Sequence, residues 1–71
     1  EVVFGHFASY YDAVRARDEA LRYGFQGTQI ALDGCLRLKV ALPGVPTIEV
    51  GHEVIEEAHS VGLEPTLEQS S

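Results

Sequence analysis

The chain has 71 residues, 45% of them apolar and 23% charged, which makes one small domain and is too short for two folded cores. No apolar run approaches the roughly 20 residues needed to cross a bilayer. The first residues also lack the basic-then-apolar order of a signal peptide. With no methionine anywhere, we read the sequence as a soluble piece of a larger protein. The net charge of −6 is unevenly spread: Arg15, Arg17, Arg22, Arg37 and Lys39 all fall in residues 1–42 against five acids, and residues 43–71 carry six acids and no base. A nucleic-acid surface needs cations enough to neutralise several phosphates, and only Arg37 and Lys39 cluster, so nucleic acid is excluded as the main partner.

In chain order, residues 1–7 are β-branched and aromatic around a glycine and predict a strand. Ser9 followed by Asp12 resembles a capping arrangement, and Tyr10, Ala13, Val14, Arg17, Ala20 and Leu21 recur at helical spacing up to Gly24, which predicts a helix over 10–23. Its tyrosines, with Tyr23, are expected to pack against the sheet edge. Residues 26–41 are two strand-like runs split by Asp33-Gly34, a strong hairpin signal. A loop with Gly34 in a bulge sets Ile30 opposite Leu36 and Gln29 opposite Arg37. That register puts Thr28, Ile30, Leu36, Leu38 and Val40 on a core face and Gln29, Ala31, Cys35, Arg37 and Lys39 on an outward face.

Pro43 and Pro46 mark a connector. Thr47 is a plausible N-cap and Gly62 a stop for a second helix, with Gly51, Val54, Ile55 and Ala58 as its buried stripe and Glu49, Glu53, Glu56 and Glu57 in water. Leu63 to Glu68 predicts a last strand that Pro65 restricts to an edge. Residues 1–68 form the domain and 69–71 a tail.

The halves match at an offset of 38 residues: Ser9 with Thr47, Ala13 with Gly51, Ala20 with Ala58, Gly24 with Gly62, Phe25 with Leu63. Each half is a β-α-β unit. Two such units interleave as an α+β, ferredoxin-like β-α-β-β-α-β fold, a four-stranded antiparallel sheet with both helices on one face. The first and third strands are then central, and the other sheet face is open to ligands.

Catalytic constellations are missing. His52, Glu56 and His59 fall on one helix face, but the metalloprotease pattern needs a histidine where Glu56 stands. A solvated helix face accounts for them without a metal. The lone Cys35 forms no internal disulfide, and no Cys/His cluster offers zinc spacing. No nucleophile–base order or phosphate-cradling loop is present, so the chain is expected to be a non-enzyme with no cofactor. On the open face, Arg37 and Lys39 are expected to border a shallow groove with Val3 and Gly5 on one side and Gln29 on the other. His6 stands at the strand end, where it either meets a ligand or ends the strand.

Together these residues resemble a SPOR domain, the sporulation-related repeat of bacterial cell-division and wall-remodelling proteins. The likeness runs through Val2-Val3-Phe4-Gly5-His6-Phe7, Ser9 to Ala13, Leu21 to Gly24-Phe25, Cys35-Leu36-Arg37-Leu38-Lys39-Val40, and Thr47 to Gly62-Leu63. The resemblance implies a peptidoglycan-binding module in the cell envelope that takes glycan strands of septal or spore wall on its sheet face, through Val3, Gly5, His6, Gln29, Arg37 and Lys39. The chain departs from the family pattern at Val3, His6, Leu36 and Ala41, where Gln, a small residue, an aromatic and Gly are common. A protein-interaction or scaffolding module is the alternative, favoured by the acidic second helix. An RNA-binding module of this topology would need aromatics on the central strands for base stacking, and none of Val3, Gly5, Arg37 and Lys39 supplies one.

Overall fold

The computed structural model describes residues 1–34 and 37–68 and runs β1 (Val2–Phe7), α1 (Tyr10–Arg22), β2 (Gln29–Leu32), β3 (Leu38–Leu42), α2 (Ile48–Ser60) and β4 (Thr66–Leu67). The four strands form one antiparallel sheet in the order β2-β3-β1-β4. β1 and β3 are therefore central, and the strand after Pro65 is an edge. Ala20 of α1, Ala58 of α2 and Phe25 pack in one cluster with Phe4, Val54 and Leu63, so both helices cover the same face. The thinnest dimension across the Cα atoms is 17 Å, as expected of one helix layer on one sheet.

Both helices stop by the same device. Gly24 donates to the Leu21 carbonyl (3.0 Å) and Phe25 to the Ala20 carbonyl (3.0 Å); Gly62 donates to His59 (3.1 Å) and Leu63 to Ala58 (2.9 Å). Each glycine has a positive φ, +96° and +90°, which completes a Schellman motif. The following apolar residue, Phe25 or Leu63, is thereby turned into the core, so the 38-residue offset is a repeated helix-to-core turn. The starts differ. Thr47 Oγ1 accepts from the Val50 N–H at 3.2 Å, whereas Ser9 sits at the N-cap position of α1 without a side-chain capping bond, contrary to the capping arrangement expected there.

β1 carries a bulge. Val3 opposes Ala41 but Gly5 opposes Val40, leaving Phe4 as the extra residue. Phe4 and Phe25 meet with ring centroids 5.5 Å apart. Gly5 has φ +157°, and a Cβ there would lie 2.9 Å from Cζ of Phe7, so the position requires glycine. Gly5 thus shares its face with Val40 and the Phe7 ring on the helix side, not with Val3 on the open side as the sequence suggested.

The β2–β3 hairpin is wider than predicted. Ile30 pairs with Val40 and Gln29 with Ala41, four positions from the expected partners. Leu36, like Cys35 and the tail 69–71, lies outside the described residues. The Asp33 N–H donates to the Arg37 carbonyl (2.9 Å), and Asp33 Oδ1 accepts from the Arg37 N–H (3.1 Å). The Asp33 carboxylate closes a longer loop instead of a tight turn. Because the shift is even, the partition of side chains between the faces survives: Ile30 and Val40 stay on the core side, Gln29, Ala31 and Lys39 on the other.

Candidate functional site on the open sheet face

Strand alternation brings Gln29 and Ala31 of β2, Lys39 and Ala41 of β3, Val3 and His6 of β1 and Thr66 of β4 to the uncovered face. Val3 and Ala41 face each other at its centre and are only 2% and 3% exposed although no helix lies over them. Their cover is an ion pair: the Lys39 ammonium meets the Glu1 carboxylate, and this strap crosses the Val3–Ala41 pair. The hydrogen bond from Glu1 raises the Lys39 pKa above its ordinary value.

Beside it, His6 stands opposite Lys39 with both ring nitrogens engaged. Nδ1 lies 2.8 Å from Asp33 Oδ2 and Nε2 3.3 Å from Glu68 Oε2. These two hydrogen bonds, that to Asp33 first, raise the imidazole pKa above 6.5. In its protonated form the ring donates to both carboxylates, tying β1 to the β2–β3 loop and to the end of β4. Backbone bonds join the other end of β1 to the end of β4, Glu68 N–H to the Glu1 carbonyl (2.9 Å) and Glu1 nitrogen to the Glu68 carbonyl (2.8 Å).

Of the six residues expected to bind ligand, Gln29, His6 and Lys39 share the open face. Val3 floors it beneath the strap, and Gly5 belongs to the opposite side. Arg37 is not on the central strand; it lies in the loop before β3 with an exposed side chain that makes no ion pair among the described residues. Lys39, by contrast, is engaged with Glu1. The face also holds Glu1, Asp33 and Glu68, which sequence reading passed over. Period-two alternation from Val3 finds Glu1, and from Thr66 it finds Glu68; the Asp33-Gly34 turn signal accounts for Asp33 without placing it on this face.

The helices present other surprises. Tyr10, Tyr11 and Tyr23 are exposed and do not pack against the sheet edge; the Arg15 guanidinium lies 5.9 Å from the centre of the Tyr11 ring. His52, Glu56 and His59 are all exposed on α2, and among the described residues no three metal-binding side chains converge. No described helix is long and apolar enough to cross a membrane. Two shallow concavities, about 300 and 460 Å³, lie at the rim, one beside Ile48 and Leu67 and one beside Leu63 and Pro65. The first is also lined by Glu1 and Glu68 and so borders the open face; neither is lined by Gln29, His6 or Lys39. Comparison with protein-family models, curated proteins and solved structures finds no match to the chain.

Proposed function

We propose that this domain is a non-catalytic binding module that takes the glycan strands of peptidoglycan on its open sheet face and directs a larger cell-envelope protein to them. The observation that carries the reading is the helix-free face itself: hydrogen-bonding side chains from all four strands beside Ala31, with Val3 and Ala41 closed beneath the Glu1–Lys39 strap. An extended sugar chain presents hydroxyls, acetamido groups and lactyl carboxylates. Gln29, Thr66 and the carboxylates match the first two, and the exposed Arg37 fork at the rim matches the carboxylates. The sequence resemblance to SPOR domains points to the same choice, although Arg37 lies here in the loop before β3 and not on the strand. No aromatic of β1 serves as a stacking platform here, since Phe4 and Phe7 belong to the helix side, which disfavours nucleic acid.

Sedimentation with purified, amidase-treated cell-wall sacculi tests this. The 71-residue chain is expected to pellet with them, and Arg37→Ala to lose about 1–3 kcal/mol of binding. Arg22→Ala, which removes the same charge from the end of α1, should pellet normally. If the parent chain stays in the supernatant, or if both variants weaken binding equally, the glycan reading fails and a protein-interaction role for the acidic α2 takes its place.

A further inference from the structure

The two sheet edges are not alike. β4 is two residues long and lies under α2, which carries Glu49, Glu53, Glu56 and Glu57 with no lysine or arginine. β2 is the other edge, and Gln29–Leu32 contains no charge, proline or bulge, the devices that normally guard an edge against pairing. α1 packs over this half of the sheet and is balanced, with Asp12, Asp18 and Glu19 against Arg15, Arg17 and Arg22. The negative charge that would drive copies apart is therefore concentrated at the far edge.

The hydrogen-bond alternation defines what β2 offers. Because the Asp33 N–H bonds the Arg37 carbonyl, the odd-numbered residues of β2 face β3, and Ile30 and Leu32 point their N–H and C=O groups off the edge. The Thr28 N–H is already taken by the Phe25 carbonyl. Within β2 the free run is thus Ile30 and Leu32, two residues apart, a self-complementary pair. Leu32 is also 69% exposed on the helix side of the strand.

We propose that a second copy of this chain docks on β2 in antiparallel fashion, with the two-fold axis at Ala31. Ile30 of each copy then pairs with Leu32 of the other, every free edge group of β2 is used, and Leu32 covers Ile30 across the axis. Gln29 falls opposite Asp33 of the other copy, so no like charges meet. The product is a continuous eight-stranded sheet whose two open faces look the same way. This inference does not depend on the glycan reading.

Light scattering across micromolar to millimolar concentrations is the test, with a mass rising from 7.7 kDa toward twice that value as the expected result. Leu32→Pro deletes an outward N–H and an exposed side chain without touching a β2–β3 bond, so its circular dichroism and melting should match the parent. Its dimer should be weaker by about tenfold or more. In a Cys35→Ser background, Ala31→Cys should cross-link on oxidation, since residues facing across the axis as a non-hydrogen-bonded pair are about 4.5 Å apart at Cα. Gln29→Cys in the same background should not. A constant mass of 7.7 kDa at all concentrations, an undiminished Leu32→Pro dimer, or equal cross-linking of the two cysteine variants would overturn the proposal.

Discussion

His6 is the residue on which the open face is most sensitive to pH. Its pKa is raised by hydrogen bonds to Asp33 and Glu68, so folding favours the protonated ring. The resulting stabilisation is complete below the unfolded value of 6.5 and disappears as pH rises through the higher folded value. The imidazole is solvent-accessible, with its side chain 35% exposed, and screening keeps the effect in the range of exposed ion pairs, roughly 0.2–1 kcal/mol. The melting temperature of the parent should exceed that of His6→Gln by more at pH 5.5 than at pH 8.5, the difference amounting to a few degrees in a domain this small. An NMR titration of the imidazole with a midpoint at or below 6.5 would contradict the arrangement.

Among the elements, the two helices share a C-terminal stop but not an N-terminal cap, and this separates two otherwise similar substitutions. Thr47 Oγ1 satisfies an N–H of the first turn of α2, one of the donors a helix start leaves unpaired. Thr47→Ala should cost about 1 kcal/mol in urea unfolding. Ser9 makes no such bond, and Ser9→Ala should stay within about 0.5 kcal/mol of the parent. Equal losses at the two positions would show that Ser9 caps α1 in solution. The hairpin teaches a related lesson: Asp33-Gly34 marks a turn correctly, yet the Asp33 carboxylate bonds the Arg37 N–H four residues on, and this side-chain bond sets the loop length.

At the scale of the molecule, the buried apolar set among the described residues is small-grained, being valines and alanines plus Phe25. Phe25 is 6% exposed, contacts Phe4 and belongs to the cluster that joins both helices. A chain of 71 residues at typical per-residue stability holds about 4–11 kcal/mol in total. Phe25→Ala, at about 3–5 kcal/mol, should therefore remove a large part of it. The urea midpoint should fall steeply or the native baseline vanish, and a loss under about 1 kcal/mol would mean that the ring is not the centre of the core.

What the sequence determined by itself is the order of elements, the sheet topology, the positions of Gly24 and Gly62 after their helices, and the assignment of Ile30, Val40, Lys39 and Gln29 to faces. These follow from local geometry: helical and strand periods, the left-handed conformation at a helix end, and proline's missing donor. Tertiary structure decided the rest. The bulge at Phe4 turned Gly5 to the helix side because the Phe4 ring packs on Phe25, a contact between residues 21 positions apart. The wider hairpin removed Arg37 from the central strand, since cross-strand pairing and the Asp33 side chain compete with the turn preference of two residues. The clasp of His6 with Asp33 and Glu68, and the strap from Glu1 to Lys39, join groups 27 to 62 positions apart. No local pattern encodes such a meeting, because only the sheet's pairing brings the ends of β1, the hairpin loop and β4 onto one face.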